Sequence, residues 1–138
     1  MNTNITTIGT AVGMLNDGDV EGYATTLYAP GAVVHGFPAG FAPDRDGVAA
    51  FMRTVRAGVP DARINAKDIV ADGDRVAVRF TLTGTHTDEL LGAPGRGAAI
   101  EVEGITIVEF RGGQVVERWN RLDEIALLTQ IGASTAQA

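Results

Sequence analysis

The stretch Ile100-Glu101-Val102-Glu103-Gly104-Ile105-Thr106-Ile107-Val108-Glu109-Phe110-Arg111-Gly112-Gly113-Gln114-Val115-Val116-Glu117-Arg118-Trp119-Asn120-Arg121-Leu122 decides the fold. Ile100, Val102, Thr106, Val108 and Phe110 fall on one side of a period-two pattern, with Glu101, Glu103 and Glu109 on the other. That period belongs to a β-strand with one face in the core. Gly112-Gly113 supplies a tight turn, and Gln114–Leu122 returns as a second strand. On the returning strand Val116, Arg118, Asn120 and Leu122 share one face and Glu117, Trp119 and Arg121 the other. Pattern alone does not decide which of these faces points inward.

Working upstream, Thr87–Gly97 with Pro94 and three glycines is a loop. Arg75–Thr85 is a strand with Val76, Val78, Phe80 and Leu82 on one side. Asp72-Gly73-Asp74 is a hairpin turn, and Ala62–Ala71 is the strand before it. These strands form a four-stranded antiparallel meander. Earlier in the chain the period changes. Ile8, Val12 and Leu15 recur at helical spacing, and Asn16-Asp17-Gly18-Asp19 breaks the helix. A short helix carrying Val20, Tyr23 and Leu27 stops at Ala29-Pro30-Gly31. Ala32–Phe37 reads as a strand and a Pro/Gly-rich loop runs to Pro43. A third helix, capped by Asp44 or Asp46, bears Val48, Phe51, Met52, Val55 and Val59 as its apolar stripe. After the meander, Asp123–Ile131 is a short helix capped by Asp123 and ended by Gly132. Helices set against one face of an antiparallel sheet make an α+β domain. Strands of this length twist and curl, so the concave face encloses a pocket beside the helices.

Composition bounds the rest. The chain has 138 residues, 45% hydrophobic and 20% charged, which fits one globular domain over 1–132 with a disordered tail at 133–138. A net charge of −6 excludes a general nucleic-acid binder. With no cysteine, disulfides, thiolate catalysis and thiolate zinc sites are excluded, and a cytoplasmic location is compatible. No signal-peptide pattern and no membrane-spanning apolar run is visible. His35 and His86 are too far apart to imply a metal site.

Four stretches together resemble the SnoaL-like polyketide cyclases of the NTF2-like superfamily. They are Tyr28-Ala29-Pro30-Gly31-Ala32-Val33-Val34-His35-Gly36, Leu82-Thr83-Gly84-Thr85-His86-Thr87, Phe110 through Asn120, and Asp123 through Gly132. The resemblance implies a cone-shaped α+β barrel around one pocket, often a homodimer. It also implies closure of a ring in a polyketide ester by aldol chemistry, with neither metal nor organic cofactor. In that family an Asp on the last strand moves the proton; the matching position here is Asn120. A His on the preceding strand is matched by Thr106. An amide cannot accept a proton as a carboxylate does near neutral pH, so the family mechanism does not transfer unchanged.

The expected catalytic set is therefore Asn120 as an orienting or oxyanion-stabilising amide, with His35 or Asp123 moving the proton. Asp123 reads better, from its position, as the N-cap of the last helix, and His35 reads equally as a strand-end residue with a local hydrogen bond. Phe37, Met52, Phe80, Thr106, Val108 and Arg118 are expected to line the substrate site, and Trp119 to anchor an outer interface. His86 is expected at the rim. Three functions compete: a cyclase, isomerase or lyase acting on a small apolar or polyketide-like carbonyl compound; a non-catalytic small-molecule binder; and an epoxide hydrolase or epoxide-opening cyclase. A pocket that holds Asn120 without a carboxylate or imidazole favours binding. His35 or Asp123 within reach of Asn120 favours catalysis.

Overall fold

Helix α1, Thr3–Asn16, begins a computed structural model that describes residues 2–133. Most of the expected tail therefore lies outside the described residues. Asn2 caps α1 by accepting from the Asn4 and Ile5 backbone N–H groups. Helix α2, Val20–Leu27, is capped by Asp19, and helix α3, Arg45–Gly58, by Asp44, with Asp46 in its first turn. Helix α4, Glu124–Ile131, is capped by Asp123 and closes on Gly132 at φ 77°.

The strands are β1 Tyr28–His35, β2 Arg63–Asp72, β3 Arg75–His86, β4 Ala98–Arg111 and β5 Gln114–Leu122. They form one open sheet in the order β1-β5-β4-β3-β2. The meander β2 to β5 is antiparallel as expected, but β1 joins β5 in parallel, so the sheet is mixed. The inner face carries Val76, Val78, Phe80, Val102, Val108 and Phe110, all buried. Gly104 pairs with Phe80 in the β3–β4 register, and a Cβ at Gly104 would overlap the Phe80 ring. The missing side chain is what lets that ring lie across the sheet. At the foot of α1, Asn16 donates to the Ile64 carbonyl at 3.0 Å and accepts from the Ile64 N–H at 2.8 Å.

Two local departures matter for the site. The second helix ends at Leu27, and Tyr28 already belongs to β1, so Ala29-Pro30-Gly31 lies within an irregular strand rather than behind a helix. Proline is tolerated there because β1 is an edge strand. On β5 the register skips one residue: Phe110 pairs with Val115, but Glu109 with Glu117. Val116 is thus the extra residue of a bulge. Val115, not Val116, shares the buried inner face with Asn120. Arg118, two residues before Asn120, points inward with it by ordinary alternation, and the bulge brings Val115 onto the same face.

Candidate functional site

A cavity opens between α1, α2, α3 and the inner face of the sheet, with walls that include Leu15, Tyr23, Phe51, Met52, Phe80 and Val108. Phe37, Thr106, Arg118 and Asn120 also line it, so the six side chains expected as lining are brought together with Asn120 around one space. The room open to the centre of a water molecule is about 80 Å³. Pockets that enclose drug-sized ligands run to about 300–1,000 Å³, so a ring-bearing ligand must push side chains aside. Met52, unbranched and flexible, is the wall residue best suited to yield.

The polar groups gather around Arg118. Its Nε donates to Thr106 Oγ1 at 2.8 Å, and Nη2 donates to Asn120 Oδ1 at 2.8 Å. Nη1 donates to the hydroxyl of Tyr23 at 3.3 Å and to that of Tyr28. The two tyrosine hydroxyls are 3.2 Å apart, and the Thr106 hydroxyl donates onward to the Trp119 carbonyl at 3.0 Å. The guanidinium carbon sits 5.1 Å from the centre of the Phe37 ring, a cation–π contact. Among the described residues no carboxylate lies within ion-pair distance of Arg118.

Burial pushes the Tyr28 hydroxyl far above the ordinary tyrosine range, against the opposing pull of Arg118. Tyr28 is therefore a neutral donor near pH 7. Burial also acts to lower the Arg118 pKa, but Tyr28 and Tyr23 outweigh it and hold the guanidinium charged. Among the described residues the cation is surrounded by dipoles and faces no counter-charge.

His35 and Asp123 do not join this cluster, which corrects the expectation that one of them works beside Asn120. Ala32 and Val34 fill the inner positions of β1, so alternation sends His35 to the outer face. There it bonds Glu117 at 2.7 Å and stacks on Trp119 at 5.8 Å. Asp123 accepts from the Ala126 N–H at 3.0 Å, which is N-cap geometry, and it is absent from the cavity lining. His86, expected at the rim, is fully buried, and neither ring nitrogen has a hydrogen-bond partner among the described residues. No three His, Cys, Asp or Glu side chains cluster among the described residues.

Sequence reasoning missed Tyr23 and Tyr28, the only tyrosines of the chain. The available signal was chemical: a tyrosine on a buried face needs a partner for its hydroxyl, and Arg118 supplies it.

The SnoaL-like polyketide cyclase family model matches residues 6–131. This chain belongs to the SnoaL-like polyketide cyclase family. It is 32% identical to IdmH, a candidate polyketide cyclase from Streptomyces antibioticus, over 96% of this chain and 100% of that one, with a TM-score of 0.81. AclR, a candidate hydroxylase from Streptomyces galilaeus, is 26% identical over 94% of this chain and 95% of its own, at TM-score 0.80. A candidate SnoaL-like polyketide cyclase from a Jannaschia species is 25% identical over 96% and 93%, at TM-score 0.78. No curated protein sequence matches the chain. Among the described residues no helix is long and apolar enough to cross a membrane.

Proposed function

We propose that this SnoaL-like chain is an enzyme of the polyketide cyclase or isomerase type, acting without metal or organic cofactor on a small apolar carbonyl compound in its cavity. The observation that carries the reading is the donor cluster around Arg118 at the wall of an apolar cavity. In this reading the substrate loses an α-proton to water, and its enolate oxygen accepts from Arg118 and Asn120. The enolate carbon then bonds a second carbonyl carbon. The new alkoxide takes a proton from a tyrosine hydroxyl, which water restores. Oxyanion donors fixed before reaction act where charge develops and need no reorganisation. Thr106 and Phe37 hold the guanidinium in place. The epoxide reading, which asks for a carboxylate in the pocket, has no acid lining the cavity to support it.

A second reading, a binding protein without turnover, is favoured by one specific observation: the cavity lining contains neither carboxylate nor imidazole. One assay separates the two. The wild type is given an aromatic β-keto ester with a second carbonyl in ring-closing reach, and product is followed by chromatography. Catalysis predicts turnover, with Arg118→Met lower in kcat by about 10²–10³-fold and unchanged in circular dichroism. A wild-type rate no higher than that of Arg118→Met leaves the binding reading in possession.

The proposal extends to assembly as a homodimer through the outer sheet face. The pairings His35–Trp119, Trp119–Ile107, Ile107–Ala77 and Ala77–Val70 draw one mostly apolar row across all five strands. Ile107 is 40% exposed and Val70 66%. One flanking row holds Glu117, Glu109, Arg75 and Asp72; the other holds Arg121, Ile105, Arg79 and Asp68. The first is net acidic and the second net basic. A two-fold axis along the apolar row sets each acidic row over the partner's basic one, whereas an axis along the strands sets like over like. The cysteine-free composition is compatible with work in the cytoplasm.

A further inference from the structure

Counting hydrogens around Arg118 narrows what the cavity can hold. A guanidinium has five N–H donors. One goes to Thr106, two meet the tyrosine hydroxyls and one goes to Asn120, which leaves one Nη2 hydrogen unspent. The Tyr23–Tyr28 contact consumes one of two hydroxyl hydrogens and leaves the other. The Oδ1 of Asn120 serves Arg118, and its Nδ2 has no partner among the described residues. The cluster thus offers spare donors from three kinds of group beside an uncompensated positive charge. Its principal acceptors, Asn120 Oδ1, Thr106 Oγ1 and the two phenol oxygens, are already turned to the guanidinium. A neutral alcohol or amine would bring more donors to a donor-rich wall. A delocalised pair of oxygens sharing one negative charge brings about four lone-pair sites and the missing charge together.

We propose that the cavity takes an organic oxyanion: an apolar body ending in a carboxylate or in its vinylogous counterpart, the ionised enol of a 1,3-dicarbonyl. The inference rests on reading this cavity as the substrate site, and it deepens that reading. It also accounts for a wall without a base. A 1,3-dicarbonyl whose proton has already left to water arrives as the nucleophile, and Arg118 holds it ionised. No protein carboxylate is then required for the first proton transfer, and one beside Arg118 would compete for the same donors.

The test uses the intact chain at pH 7 and two pairs of measurements. Titration calorimetry compares cinnamate with methyl cinnamate, which share an apolar body and differ in charge. Ultraviolet absorbance follows the ionisation of benzoylacetone with and without excess protein. The expected results are cinnamate binding about tenfold or more tighter than its ester, and a benzoylacetone ionisation midpoint lowered by about one to three pH units. Asn120→Asp places a carboxylate against Arg118 and should erase both effects while keeping the native circular dichroism. A response from cinnamate alone assigns the carboxylate as the ligand group, and one from benzoylacetone alone assigns the vinylogous acid. Equal binding of acid and ester by the wild type, with no shift for benzoylacetone, overturns the proposal yet leaves the cyclase reading intact, because the ester still occupies the cavity. Charge selectivity without ring closure does the reverse. Absence of binding by every probe overturns both.

Discussion

The two faces of this sheet treat arginine in opposite ways. On the outer face Arg75 meets Glu109 at 3.0 Å and Arg79 meets Asp68 at 2.7 Å, each an exposed cation beside an acid. On the inner face Arg118 has hydroxyls, an amide and an aromatic ring, and no acid. The outer pairs are solvated and contribute about 0–1 kcal/mol each. Water would supply their hydrogen bonds if the partners were lost. The inner guanidinium is half-buried and has less of that reserve, and each of its donors is either matched by a neutral acceptor or left for a ligand or water. The contrast separates a surface arranged for solubility and association from one arranged for a charged guest.

The comparison can be broken at several points, and the largest effect is expected in the core. Phe80→Ala removes a buried ring that both walls the cavity and fills the space over Gly104. It should cost about 3–5 kcal/mol in denaturant unfolding. Ile105→Ala on the opposite face, where the side chain is 56% exposed, should cost less than about 0.5 kcal/mol. Similar losses at the two sites would mean that the faces are not distinct. The next effect concerns association. Ile107→Asp puts a charge in the middle of the outer apolar row and should weaken the dimer by at least about tenfold in analytical ultracentrifugation. The cavity should still bind its ligand. A dimer indifferent to that change would have to use another surface.

The smallest effect addresses the two residues that the cavity excludes. Asp123→Ala removes the cap of α4 and should lower stability by about 1 kcal/mol. Neither it nor His35→Ala should alter ligand affinity or turnover. A loss of turnover at unchanged stability in either variant would bring that residue back into the chemistry and require the cavity to reorganise during reaction.

The sequence made the sheet legible and the cavity chemistry only partly so, for physical reasons that particular residues display. Ile100 to Glu103 and Val108 to Phe110 alternate in polarity, as a strand buried on one face does, and these flanks set the parity across Ile105-Thr106-Ile107, where the polarity inverts. The inward position of Thr106 followed directly. The bulge at Val116 left no mark, because Val115 and Val116 are both apolar and either could have been the inner residue. Tyr28 was hidden for another reason. Pro30 and Gly31 punctuate a chain locally, and nothing local states that the residues before them pair with a strand near the far end. The bond from Arg118 to Tyr28 spans 90 residues. Periodicity places a side chain on a face, but it cannot say which face of another element lies opposite. His35 was decidable in principle: Ala32 and Val34 occupy the inner positions, and parity sends the next residue out.

Asn16 has a consequence beyond the closing of α1. Its amide gives β2 both a donor and an acceptor at Ile64, as one residue of an adjoining strand would. A strand at the margin of a sheet is a template on which another chain can grow, and β2 carries Ile69 and Val70 exposed farther along. The side chain of one asparagine occupies the rung at Ile64, so a strand added from outside over that end of β2 must first displace α1. In this molecule the helix that roofs the cavity also closes one rung of the sheet's open edge.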